Sequence, residues 1–407
     1  MKTKIILLLF IAFVSCEVHE TTNETESLYL NKTAKYTVTK DATLNFNVNV
    51  NDFAQNDLIQ FVDGNSKFTI DKFSNTPEEQ NTHPSRSFGF LYCFQGDPTE
   101  ILDCLQNYVG PSEVVQNLDP SIPDNPEGIA IDSKGNYILA MGLSGQLVKL
   151  KKNGIRSLIT TLPIGEFNPF ALTGILGPVA IDRFDNMYVS VNASDPVNRG
   201  VWKVRKNGNA TLLSNFPMTA ALNGLAIKSD HLYVADSSLD GKIWRVSINT
   251  GTTEIWADDP LLKISNPTVM APGPNGIQYY GNEIYVSNPN QNRLLAIELN
   301  NDGTSGTIRI AAEVSFDDFA IDILGNVIGT TAPANTIEKV YPDGRVEGLL
   351  TAADGLDIPT AAIFGRDFLD SFNLYITNAA FPFVPGATQP SLMKLELGIP
   401  GFDRSAL

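Results

Sequence analysis

Histidine, cysteine and positive charge are all scarce in this chain. Its 407 residues include three histidines and three cysteines, and only 18% are charged, with 29 Lys+Arg against 45 Asp+Glu. The net charge is -16, and no basic block or Lys/Arg stripe interleaved with aromatics occurs. An acidic field repels phosphate backbones, which argues against nucleic acid as a partner. At 43% hydrophobic residues the chain reads as an ordinary folded protein, long enough for one large core or two domains.

The apolar run Ile5–Val14 follows two lysines and gives way to small residues and Cys16. It is too short to span a bilayer and has the layout of a secretory signal over residues 1–16. Its end reads in two ways. Phe13-Val14-Ser15-Cys16 resembles a bacterial lipobox, in which Cys16 becomes the lipidated first residue, the acidic stretch 17–26 is a linker, and this anchor is the sole membrane contact. Alternatively a signal peptidase cuts near Cys16 and releases the protein. Either ending places it outside the cytoplasm. Cys93 and Cys104, in LYCFQGDPTEILDC, are then the cysteines left; an even pair in an oxidising compartment implies one disulfide, two buried thiols being the other reading.

Self-similarity organises the rest. Glycine turns at Gly154, Gly208, Gly251, Gly303 and Gly344 lie 54, 43, 52 and 41 residues apart, each after an alternating run such as GQLVKLKKNG or GVWKVRKNG. Ahead of each comes a pair of shorter runs: GIAID with NYILAMG, PVAID with NMYVSV, GLAIK with HLYVAD, GIQYY with EIYVSN, DFAID with NVIGTT. A last unit reads TAAIF, NLYIT and SLMKLEL. Such short runs, punctuated by Gly, Asn and Asp, are strands in hairpins rather than helices. Units of this length with four strands are propeller blades, so the expectation is an all-β, six-bladed β-propeller over residues 111–398. The last unit has three strands, and the orphan strand SEVVQNL at 112–118 is expected to complete it, because an open ring exposes an edge that pairs with other chains. Residues 27–110 fall outside the repeat and read as a small N-terminal cap, with a strand at 42–51 and a short helix holding Cys104; residues 399–407 read as a C-terminal tail.

The leading residue of each blade's first strand stands at one mouth of the central channel. In one register these are Glu127, Gly177, Asn223, Asn275, Asp317 and Pro359. Oxygen ligands without His or Cys suit a hard cation such as calcium. His19, His83 and His231 miss this register, which argues against zinc. Each of the four polar residues alone is an ordinary turn residue; together in one register, with Glu127 among them, they favour function. Asp132, Asp182 and Asp322 instead open turns between first and second strands, and Trp202 and Trp244 sit at matching strand positions, so these five are expected to be structural.

PEGIAID, NGLAI, PNGIQYYGNEIYVSN and DDFAID, in this order and spacing, resemble the senescence marker protein/gluconolactonase family of six-bladed propellers over about residues 112–398, and with it the paraoxonase-type lactonases. The resemblance implies a divalent cation held by Glu127, Asn275 and Asp317, with Asn223 on substrate or metal, and a small-molecule lactone or ester as substrate. Two departures stand out. Ala221 occupies the place of the gluconolactonase arginine two residues before Asn223, which points away from a sugar-acid lactone, and the paraoxonase-type general-base histidine has no counterpart.

FDDFAID at 316–322 sets two carboxylates side by side, with Asp318 where other blades carry Gly128, Gly224 and Gly276. A divalent cation would make the pair tolerable. Because successive strand residues face opposite ways, Asp318 joins the site only if the chain is irregular there, and is otherwise a turn residue. The resulting expectation is a calcium-dependent hydrolase in which Asp317 or Asp318 orients or deprotonates water. The rivals are a binding module with a structural metal and, by fold analogy, a strictosidine-synthase-like enzyme.

Overall fold

The computed structural model describes residues 25–30, 34–45, 58–72, 93 and 98–402, apart from 170–171, 270 and 368–369. The leader and Cys16 lie outside these residues. Three N-terminal strands, β1 (Thr25–Leu30), β2 (Ala34–Asn45) and β3 (Leu58–Lys72), form an antiparallel sheet of their own. The strand expected at 42–51 is described as far as Asn45, as the end of β2.

Six four-stranded antiparallel sheets follow, one per repeat. Their first strands are β5 (Pro126–Ile131), β9 (Ile175–Ile181), β13 (Leu222–Lys228), β17 (Ile277–Tyr280), β21 (Phe319–Ile321) and β25 (Pro359–Phe364). Each touches the first strands of the two neighbouring blades, so they ring the axis. The second strands are covered on both faces by adjacent blades and are mostly apolar: every residue of β6 (Tyr137–Met141) and β10 (Met187–Asn192) is buried, Ser190 and Asn192 included. Outer strands such as β8 (Arg156–Thr161) are largely exposed. Trp202 and Trp244 pack between blades as expected, each with its indole N–H donating, to the Asn198 carbonyl and the Asp236 carboxylate.

Closure runs through the orphan strand. β4 (Val109–Asn117) pairs with β27 (Ser391–Leu397), with Ser391 opposite Asn117 and Met393 opposite Val114, so one blade combines both ends of the repeat. Just before it, helix α1 (Pro98–Asn107) carries Cys104, which is bonded to Cys93. Leu105 is buried, and the Lys339 ammonium donates to the Gln106 carbonyl, which fixes the helix to the fifth blade. At the other end Phe402 packs on Tyr279 and Tyr280, and its N–H donates to the Ile321 carbonyl, so the chain after β27 crosses beneath the channel to the fourth and fifth blades.

Candidate functional site

Each first strand opens with an irregularity of one kind. In the fifth blade Asp317 N–H donates to the Thr330 carbonyl while Thr330 N–H donates to the Asp318 carbonyl, so two residues face one. This is a β-bulge, which re-aims side chains that strict alternation would send to opposite faces. The fourth blade repeats it with Asn275 and Gly276 against Ser287, and the register also slips at Glu127–Gly128 and Asn223–Gly224. The irregularity that Asp318 requires is therefore present.

The sixth blade corrects one position. There Pro359 faces Asn378 and Ala361 faces Thr377, which leaves Thr360 as the bulged residue. Thr360, not Pro359, is the counterpart of Glu127, because this unit has no turn aspartate at the end of its first strand and its true register lies one residue further on. It brings no ligand to the mouth: its buried hydroxyl donates to the Pro126 carbonyl at 2.7 Å.

Asn223, Asn275 and Asp317 stand on consecutive blades joined by the backbone. Gly224 N–H donates to the Asn275 carbonyl at 3.1 Å, and Gly276 N–H to the Asp317 carbonyl at 2.8 Å. Such close approach needs glycine: a Cβ on Gly224 would lie 2.4 Å from the Asn275 carbonyl, and one on Gly276 would lie 2.8 Å from Asp318 Oδ1. Asn275 Nδ2 donates to Asp317 Oδ1 at 2.6 Å, which leaves the amide oxygen for a ligand. Glu127 reaches the same cluster from the first blade.

Electrostatically the cluster is unbalanced. Burial, then the nearby charges of Asp317 and Asp318, hold the Glu127 carboxyl well above its usual range. Burial also raises Asp317, to about 7, against the opposing effect of the Asn275 hydrogen bond. Glu127 Oε2 is shielded from solvent with no hydrogen-bond donor among the described residues. A buried carboxylate oxygen lacking a donor, beside like charge, suits a role as cation ligand. No three His, Cys, Asp or Glu side chains among the described residues gather closely enough to hold an ion by themselves. A cation here would rest on the Glu127 and Asp317 carboxylates, completed by the amides of Asn275 and Asn223.

Asp318 stands beside this cluster, near enough for its charge to act on Glu127, and also faces the channel. It lines a channel of about 560 Å³ walled by the first strands, with Ile129, Val179, Leu225 and Ile277 among its residues and Arg183 and Arg366 also on its lining. His231 begins β14 (His231–Asp236), at the end of its blade opposite the Asn223 mouth, paired with Asp230 at 2.8 Å. Asp132, Asp182 and Asp322 behave as turn residues: each accepts the amide N–H of the residues two and four positions on.

What the register reading missed are the hydroxyls behind the bulges. Thr330 Oγ1 accepts from Asp318 N–H at 3.2 Å, Ser287 Oγ from Gly276 N–H at 2.9 Å, and Ser190 Oγ donates to the Asn223 carbonyl at 2.6 Å. A sequence signal existed, since YVSV, YVSN, IGTT and YITN each place Ser or Thr late in an otherwise apolar second strand.

Fold and mouth together define a six-bladed propeller with an oxygen-lined, carboxylate-rich channel entrance. No family profile matches the chain, and no curated protein matches it in sequence. Solved structures share the architecture. Regucalcin from Agrobacterium tumefaciens, described as a calcium-binding protein, aligns over 72% of this chain and 96% of its own at 17% identity, with a TM-score of 0.54. A gluconolactonase from Xanthomonas campestris aligns over 72% of this chain and 99% of its own at 15% identity and a TM-score of 0.51. A putative gluconolactonase covers 75% and 98%, at 14% identity and a TM-score of 0.54. These likenesses show the six-bladed propeller fold.

Proposed function

We propose that this protein is a calcium-dependent hydrolase of lactones or related esters, working at the channel mouth of Glu127, Asn223, Asn275 and Asp317. The observation that carries the proposal is the solvent-shielded, donorless Glu127 oxygen beside the Asn275–Asp317 pair on the propeller axis. The gluconolactonases that share this fold support the reaction class. When bound, the cation supplies a Lewis acid for the substrate carbonyl and its developing negative charge. Glu127 and Asp317 supply the charge that holds it, and Asn275 fixes the orientation of Asp317. Asn223, partly exposed beside them, is placed to meet the substrate. Asp318, on the channel side of the same bulge, is placed to orient or deprotonate water. The Cys93–Cys104 disulfide supports an extracytoplasmic setting, whether the protein is secreted or anchored at Cys16.

The test is calorimetric calcium titration alongside hydrolysis of a panel of lactones and aryl esters. Glu127→Gln and Asp317→Asn should fold, bind calcium at least tenfold more weakly and lose hydrolysis together. Asp318→Asn should keep calcium and lose turnover; loss of calcium instead makes it a ligand. Wild type that binds no divalent cation removes the site. Calcium binding without turnover on the panel turns the reading to a ligand-binding propeller with a structural metal.

A further inference from the structure

The loops above the first and last blades carry a stack of phenylalanines on the same mouth. Phe381 and Phe383 stand on the loop 379–390, before β27, and Phe167 on the loop 162–174, before β9. Ring centroids are 5.0 Å apart for Phe381 and Phe383 and 5.2 Å for Phe383 and Phe167, at interplanar angles of 16° and 26°. Phe381, at 7% exposure, sits in an apolar cluster with Ile358, Ala379, Leu143 and Ile175, while Phe167 and Phe383 are 36% and 48% exposed.

The apolar cluster beneath this wall approaches Glu127. Asn125, two residues before Glu127, donates to the Ala379 carbonyl at 2.8 Å and so anchors the loop that bears Phe381 and Phe383. A Cβ on Gly142 would meet both Glu127 Cβ, at 3.4 Å, and Ile175 Cγ1, at 3.5 Å, so the ligand layer and the apolar cluster flank one glycine. Single exposed apolar side chains are ordinary on a protein surface. A stacked set that continues a buried cluster, itself flanking Glu127, is a surface shaped for an apolar ligand.

Polar recognition is thin on the blade that carries Asn223. Ala221 offers no side-chain donor, and Arg199, the nearby buried guanidinium, already donates to the Ala193 and Ala220 carbonyls. We propose that the substrate is a lactone or ester with an apolar acyl, alkyl or aryl portion laid on Phe167, Phe381 and Phe383, not a polyhydroxylated sugar lactone. This rests on the hydrolase reading above.

The test uses binding as well as turnover. Ring-alkylated γ-lactams, which resist hydrolysis, are titrated calorimetrically into the full-length protein in the presence of calcium. Affinity should rise roughly two- to fourfold per added methylene until the chain outruns the wall. The double variant Phe167→Ser/Phe383→Ser, whose changes are confined to exposed rings, should flatten that rise and leave binding of the unsubstituted lactam within about twofold. A flat wild-type series, an unchanged slope in the variant, or preferential turnover of a polyhydroxylated lactone would overturn the proposal. The parallel lactone assay separates the two claims: a slope in lactam affinity without turnover of any lactone upholds the apolar subsite and removes the hydrolase, whereas turnover without a slope does the reverse.

Discussion

At Asp132 the turn carboxylate accepts from the amides of Lys134 and Asn136 and meets the Lys149 ammonium at 2.9 Å, and these partners hold its pKa below the usual value against the effect of burial. Asp322 opens the same kind of turn, but its burial is complete enough to raise its carboxyl to about 6, over the opposing effects of Asn326 and Lys339. Asn326 Oδ1, beside it, is buried without a donor among the described residues, so the protonated acid has an acceptor within reach once that amide turns over. A carboxyl raised from about 3.8 to about 6 on folding adds stability below pH 4 that is lost as pH climbs through 6. Asp322→Asn removes the ionisation and lets its amide donate to Asn326. It should therefore be more stable than wild type at pH 8, by up to roughly 2 kcal/mol, and lose that advantage below pH 4. Asp132→Asn should show the opposite sign at neutral pH, costing about 1 kcal/mol, while keeping calcium and turnover. Urea midpoints at pH 4, 6 and 8 check both, and an Asp322→Asn protein weaker than wild type at pH 8 would count against the burial argument.

The bulge is the element on which the site depends, and its brace is testable. Thr330 is fully buried; its hydroxyl accepts from Asp318 N–H, and its proton is shared between the Asp318 carbonyl at 3.1 Å and the Thr360 carbonyl at 3.2 Å, tying the fifth blade to the sixth at the point where Asp317 and Asp318 turn inward. Thr330→Val keeps the shape and removes these bonds, so it should cost about 1–3 kcal/mol and weaken calcium binding several-fold. Unchanged calcium affinity with lowered stability would make the hydroxyl structural only. The blades were legible in the sequence because strand alternation and glycine turns recur with each unit, and the one register of oxygen side chains followed from that count. Thr360 was not, since the sixth unit has Gly365 where Asp132, Asp182 and Asp322 mark the end of the first strand in other blades, and the apolar run TAAIF fits either register. Nor were Ser190, Ser287 and Thr330, because a hydroxyl inside a strand reads as an ordinary β-former until its partner on the next blade is known. Phe167 and Phe383 lie in loops that carry no period at all.

At the scale of the whole ring, stability turns on which strand is left at the open edge of the closing blade. β4 suits that place: it carries Pro111 and Glu113, its pairing with β27 is interrupted by register shifts at two points, and its burial is partial along its length. Proline, charge and irregular pairing all blunt an edge. β27 does not suit it. Ser391–Leu397 reads SLMKLEL, with Leu392, Met393, Leu395 and Leu397 buried, and uncovering it would present a regular apolar strand with unpaired backbone groups. A chain beginning at residue 109 keeps β4 and loses α1 with its disulfide, a short loop worth roughly 2–3 kcal/mol, together with the Leu105 and Lys339 contacts. It should melt earlier than the full chain yet remain a monomeric propeller. A chain beginning at residue 126 loses β4 as well, and should aggregate or pair through β27. Size-exclusion chromatography with light scattering, alongside thermal unfolding of the two proteins, decides the matter: equal melting temperatures with both chains monomeric would mean that the ring does not need its borrowed strand.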